Sequence, residues 1–293
     1  MIAAINKIIN FSNVDGPYNR MAIFFQGCNY NCLFCHNPET INHCVSCQAC
    51  VKTCPSGALK VIDGKVLWDD KLCVNCDTCL KTCKFNASPK ISYMSVEDIL
   101  KRIHKAKPYI RGITCSGGEC TLNKEFMYEL FVETKKLGLT CLIDSNGSLD
   151  FEKYPELLDI SDGVMLDVKA VDKTYHDKLV SFNNEIILKN LDYLLDKNKL
   201  YEVRTIIYPN QDENNYKTVD YVSKHIQDKC IYKLIKYRPY GVREEYLDVM
   251  GRNETDDQYF KQYVELAKQN GVKNVVAVWA KISNSIYKWY NKL

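Results

Sequence analysis

Much that would fix a protein's setting is missing from these 293 residues. No apolar run approaches the roughly twenty residues that a membrane-spanning helix needs. The opening MIAAINKIIN has a short apolar stretch broken by Lys7 and no small-residue cleavage site, so no secretory signal is expected. A formal net charge of +3 is too small to argue for nucleic acid or an anionic membrane as a partner. Of the few histidines, His43, His104, His176 and His225 fall in no recognisable pattern. A cytoplasmic protein is the expectation. With 46% hydrophobic and 26% charged residues, the length suits one large domain and one small one.

Cysteine is what the chain has in excess. There are fifteen, and twelve fall between Cys28 and Cys115. A reducing compartment disfavours disulfides, so dense and regularly spaced thiols point to metal. In FQGCNYNCLFCHNPE (25–39), Cys28, Cys32 and Cys35 form a set of three with no fourth cysteine to close it. Three thiolates leave one coordination position open.

Further on, CVSCQACVKTCP (44–55) and CVNCDTCLKTC (73–83) each read C-x2-C-x2-C-x3-C. That is the ligand run of bacterial ferredoxins with two [4Fe–4S] clusters, in which the fourth cysteine of each run crosses to the other cluster. By this rule Cys44, Cys47, Cys50 and Cys83 hold one cluster, and Cys73, Cys76, Cys79 and Cys54 hold the second. Zinc is the alternative, but it usually takes two separated pairs and leaves the third and fourth cysteines of each run unexplained. Lys84 stands where the second run would match Pro55 of the first. The runs repeat about thirty residues apart, separated by ALKVIDGKVLW, a hairpin pattern turning at Asp63-Gly64. Residues 37–90 therefore read as a ferredoxin-like insert, and residues 1–36 with 91–293 as the domain it interrupts.

Outside the insert, apolar β-branched runs at 21–27, 112–118, 139–147, 163–170, 201–209, 230–239 and 272–279 alternate with helical patterns. Ser95 with Asp98 three residues on predicts a capped helix start, Asn123 a second cap, and Gly138 a helix end. Strand–helix alternation means an α/β fold with a parallel sheet, doubly wound or curled into a barrel. Cys28, Glu119, Ser145, Asn146, Asp167, Lys169 and Arg238 all come at or just after strand ends. In a barrel those ends share one face, where active sites lie.

FQGCNYNCLFCHNPE carries the C-x3-C-x2-C motif of the radical S-adenosylmethionine (SAM) enzymes. With VDGPYNR (14–20), CHNPET (35–40), SGGE (116–119), DSNG (144–147) and DVK (167–169) in that order, the chain resembles their glycyl-radical-enzyme activating branch. It looks like the larger members, which carry a ferredoxin-like insert. The resemblance implies a partial (β/α)6-type TIM-like barrel, SAM as cofactor and three [4Fe–4S] clusters, one binding SAM and two auxiliary. It also implies a glycyl radical enzyme as protein substrate, and flavodoxin or ferredoxin as electron donor. Cys28, Cys32 and Cys35 would hold the cluster that SAM chelates, with Asp167 and Lys169 also catalytic. Phe34 and His36 would flank the adenine, and Gly117, Gly118 and Glu119 would face the methionine amino group. Glycine there would let backbone approach SAM closely. Ser145, Asn146, Val168, Arg204 and Arg238 complete the implied cofactor contacts. Arg238 stands where relatives often have histidine, Cys120 where proline is common, and Arg204 alternatively pairs with a neighbouring carboxylate. Cys115, Cys120, Cys141 and Cys230 read as small buried hydrophobes.

Two other readings compete. A radical enzyme acting on another peptide or a small molecule could use the extra clusters as a relay, but such relatives usually place them after the barrel. Here no cysteine follows Cys230. A plain electron carrier would need neither the open site nor the polar strand ends.

Overall fold

The computed structural model describes residues 1–279; residues 280–293, the end of the expected barrel segment 91–293, lie outside the described residues. Seven strands are mutually parallel: β2 (Arg20–Phe25), β6 (Gly112–Gly117), β7 (Thr140–Ser145), β8 (Gly163–Asp167), β9 (Leu200–Ile207), β10 (Ile231–Lys236) and β11 (Val275–Val278). Two more extend that edge: β1 (Ile2–Ser12) pairs antiparallel with β2, and β5 (Ser92–Ser95) pairs antiparallel with β1. The sheet runs β11-β10-β9-β8-β7-β6-β2-β1-β5, open at both edges. The crossovers carry α2 (Val96–Ala106), α3 (Lys124–Lys136), α4 (Pro155–Ile160), α5 (Lys173–Val180), α6 (Glu185–Asp196), α7 (Asp212–Ile226), α8 (Leu247–Met250) and α9 (Asp257–Gln269). This is an α/β partial barrel. It has one parallel strand more than the six that the resemblance implies, because the short VVAV at the far edge still pairs with β10.

Burial explains where the barrel opens. Strands β2, β6, β7 and β8 are buried along almost all their length, as strands covered on both faces must be. In β10 buried and half-buried residues alternate, and in β9 Arg204 and Ile206 are only half covered. Ser95 caps α2 as expected: its Oγ accepts from Asp98 N at 3.2 Å while Asp98 Oδ2 accepts from Ser95 N at 3.1 Å. Asn123 is a correction. It sits at the start of α3 but its side chain caps nothing, because a 3-10 turn over Cys120–Asn123 already leads the chain in. Gly138 closes α3 in the left-handed region (φ +73°).

The insert is built differently. It has a hairpin, β3 (Leu59–Ile62) and β4 (Lys65–Trp68), turning through left-handed Asp63 and Gly64, and one short helix, α1 (Thr78–Thr82). Its repeat is visible in the backbone. Ser46 and Gln48 in the first run are left-handed, and so are Asn75 and Asp77 at the equivalent places in the second. The equivalent threonines Thr53 and Thr82 meet at 3.1 Å, so an approximate twofold axis passes between them. The start of segment 37–90 is tied to the loop after β2. Gly27 and Cys28 donate N–H groups to Thr40 and Ile41, both at 2.9 Å. Gln26 Nε2 adds bonds to the carbonyls of Glu39 and Asn42, and Asn42 bridges to Ala87.

Candidate functional site

At the C-terminal ends of the parallel strands lies a cavity of about 210 Å³. Cys28, Cys32 and Cys35 form one wall, and Phe34, His36, Gly117, Gly118, Glu119, Ser145, Asn146, Asp167, Lys169 and Arg204 all reach it. Burial pushes the Cys28 thiol up to about 11 and Cys32 to about 12, and raises Cys35 as well. These are protonated thiols that metal binding would deprotonate.

The SGGE segment is fixed by packing. Gly117 has φ +123°, and a Cβ there would lie 2.2 Å from Phe25 N; at Gly118 it would lie 2.2 Å from Gly27 O. The glycines therefore answer to the cysteine loop, which lies against them: Gly118 N donates to Phe25 O at 3.0 Å and Glu119 N to Gly27 O at 2.8 Å. This is a different need from the expected close approach to SAM. Glu119 is fully buried. Its Oε1 accepts from Thr121 N, Thr121 Oγ1 and Ser145 Oγ, and its Oε2 only from Asn146 N at 2.7 Å. Burial raises its pKa, against four hydrogen bonds that favour the anion. Asn146 also reaches Asn29 Oδ1 at 3.1 Å, beside Cys28.

Across the cavity Lys169 Nζ donates to Asp167 Oδ2 at 2.6 Å and stands 5.7 Å from the Phe34 ring centroid. Burial opposes the ammonium, but the Asp167 carboxylate, by charge and by hydrogen bond, outweighs it and holds the lysine pKa above its ordinary value. Arg204 pairs with Asp144 Oδ1 at 2.8 Å and Glu202 Oε1 at 2.5 Å. Its guanidinium is thus largely engaged by carboxylates, the plainer of its two readings, although the residue still borders the cavity.

Two expected contacts fall elsewhere. Val168 is buried in the core and absent from the lining. Alternation along the strand turns it away from the face that Asp167 presents. Arg238 is also outside the lining; its backbone carbonyl, 3.0 Å away, accepts from His36 Nε2 and so orients that ring. A residue the motifs did not flag, Arg243, holds the cysteine loop from this side. Its Nη2 donates to Cys32 O at 2.9 Å, and its guanidinium lies 4.3 Å from the Tyr246 ring centroid. Tyr30, Asn37, Thr40, Ile41, Ser116, Asp144 and Ile206 were likewise missed as lining residues, all but the two isoleucines despite standing in flagged motifs.

The insert places its thiols in two sets. Cys44, Cys47, Cys50 and Cys83 line one small cavity; Cys54, Cys73, Cys76 and Cys79 line another, with Asp77 and Lys90. The remaining four cysteines, Cys115, Cys120, Cys141 and Cys230, are buried in the barrel.

The donor sets suit the implied groups. A four-iron cube needs thiols spread around a space, which both insert cavities provide. In the barrel, three thiols face a cavity whose lining includes the buried Tyr30, its hydroxyl without a partner among the described residues.

The family model described as the radical SAM superfamily matches residues 22–222. The chain is 34% identical to the trans-4-hydroxy-L-proline dehydratase activating enzyme of Clostridioides difficile, over 69% of this chain and 72% of that one. It is 28% identical to the (2S)-3-sulfopropanediol dehydratase activating enzyme of Klebsiella oxytoca, over 93% and 96%. Among solved structures, QueE from Escherichia coli superposes with a TM-score of 0.53 at 14% identity, covering 95% of this chain and 94% of that one. At that identity the likeness is one of fold.

Proposed function

The chain belongs to the radical SAM superfamily, and from that premise we infer that it is the activating enzyme of a glycyl radical enzyme. The observation that carries this is the three-thiol wall facing a cavity closed by Glu119, Asn146 and the Asp167–Lys169 pair. When bound there, a reduced four-iron cluster and SAM supply a 5′-deoxyadenosyl radical, which takes hydrogen from a backbone glycine of the partner.

The chain's own residues hold and orient. Cys28, Cys32 and Cys35, which line the cavity, would hold the cluster through their three thiolates. Glu119, pinned by its four donors, presents an anion to the methionine ammonium. Phe34 and His36 flank the adenine, His36 fixed through the Arg238 carbonyl. Asp167 keeps Lys169 charged and aimed across the site, and the Asp144–Arg204 pair stiffens the wall between them. The two thiol sets of the insert would hold auxiliary [4Fe–4S] clusters, which would supply a relay for electrons from flavodoxin or ferredoxin in the cytoplasm.

Anaerobic reconstitution followed by iron analysis and SAM cleavage tests the assignment. About twelve irons per chain are expected, from three four-iron clusters. Cys32→Ala should abolish formation of 5′-deoxyadenosine while leaving about eight irons bound. Cleavage at the wild-type rate in that variant would exclude the three-thiol site. Stoichiometric zinc, or about four irons in the intact chain, would exclude the reading of the insert.

A further inference from the structure

Two buried asparagines at α6 anchor the loops that follow two neighbouring strands of the cavity, β7 and β8. Asn190 is 1% exposed and lies on the face of α6 otherwise buried through Ile187, Leu191 and Leu194. Its Nδ2 donates to Gly147 O at 2.9 Å and Leu149 O at 2.6 Å, and its Oδ1 accepts from Phe151 N at 3.2 Å. Those groups belong to the loop just after Ser145 and Asn146. Asn184, 2% exposed, gives both Nδ2 hydrogens to the loop just after Lys169: Ala170 O at 3.1 Å and Val171 O at 2.7 Å.

Neither asparagine serves its own helix. Asn184 occupies the N-cap position of α6, where an asparagine side chain ordinarily accepts from the first turn, yet it makes no such bond. Asn190 is an amide in an apolar stripe, tolerable because three of its four hydrogen-bonding positions are filled. Gly147 packs against the same helix: a Cβ there would come 3.2 Å from Ile187 Cγ1 and 2.7 Å from Leu166 Cδ1. The loop is seated on α6 by shape as well as by hydrogen bonds.

We propose that Asn190 and Asn184 are positioning residues for SAM binding, with α6 acting as a common brace. Through Asn190 the brace fixes the loop whose Asn146 N–H and Ser145 hydroxyl hold Glu119. Through Asn184 it fixes the loop that follows the Asp167–Lys169 pair. The two neighbouring loops then keep one placement relative to each other whether or not the cavity is filled. This rests on the assignment of the cavity to SAM.

Hydrogen exchange and SAM titration on the reconstituted full chain test it together. Asn190→Leu should speed exchange across residues 146–151 and leave 168–172 unchanged, while Asn184→Leu should do the reverse. Each should weaken SAM binding by calorimetry by on the order of tenfold, the usual scale for loss of an outer partner. KM for SAM should rise while kcat at saturation stays within about twofold. If Asn190→Leu does not fold, Asn190→Asp, which keeps the shape but loses both donated bonds, is measured in its place. Wild-type SAM affinity in a variant with a loosened loop would overturn the proposal, as would exchange that rises equally in both loops. If the wild-type chain binds no SAM, the site assignment fails and not the anchoring, because the exchange contrast is still read.

Discussion

The barrel and its insert are held together by opposite means. The barrel buries a continuous apolar core through β2, β6, β7 and β8 and the helices packed on them. The insert's own apolar cluster is just Cys50, Leu59 and Cys79, flanked by a few half-covered residues such as Val51, Val66 and Trp68, with Ile41, Ala58 and Ala87 buried besides. Two of the cluster's three side chains are thiols assigned as metal ligands. A segment of this size cannot close on so small a core, whereas metal binding can supply the missing folding energy. One region should fold through its side chains alone, and the other through what it binds.

Stripping the iron breaks that comparison most directly. In the apo chain, limited proteolysis should cut first within residues 37–90 and leave the barrel segments protected, with most of the helical circular dichroism kept. An apo insert as resistant as the barrel would show that its packing suffices.

Glycine substitutions sharpen the same contrast at single residues. Gly117→Ala puts a methyl against the Phe25 backbone in a left-handed conformation, so a loss of roughly 3 kcal/mol or more, or no soluble protein, is expected. Gly57→Ala in the insert meets nothing within 4 Å, leaving only the cost of φ +65°, about 1–2 kcal/mol. Equal losses of melting temperature in the two variants would mean that the insert packs as tightly as the barrel.

The smallest effect concerns acid. His176 is fully buried in the barrel, and burial lowers its pKa from 6.5 against the bond its Nδ1 makes to Phe182 O. The unfolded ring takes a proton that the folded one refuses. The stability tied to it is therefore complete above pH 6.5 and falls as the pH drops below that value. His176→Leu should flatten the acid side of the melting curve by up to about 3 °C. An unchanged slope would assign the acid sensitivity to other groups.

Much of this was legible in the sequence, for reasons that can be named. Parallel strands covered on both faces are apolar runs, so β2, β6, β7 and β8 stand out. The two sets of four thiols that the crossing rule names are the sets that line the two insert cavities. The antiparallel pair β1 and β5 was not legible. Asn6 and Lys7 interrupt β1, and β5 is four residues that read only as the approach to a helix cap. Nor were the long-range partners. Arg243 reaches Cys32 across 211 positions, and Arg238 acts through a carbonyl that any residue would supply. A motif shows which side chains carry chemistry; it is silent on which backbone groups aim them.

The crossing of the thiols has a consequence for assembly. Each insert cavity is lined by three cysteines of one run and the last cysteine of the other. Neither repeat can therefore finish its own cavity, and the two are joined like the links of a clasp. Loss of Cys54 opens the cavity of the second run and leaves all four thiols of the other in place, and loss of Cys83 does the converse. With clusters in both cavities as proposed, loading one would preorganise the other, so filling should be all-or-none, with half-loaded chains scarce at any iron supply.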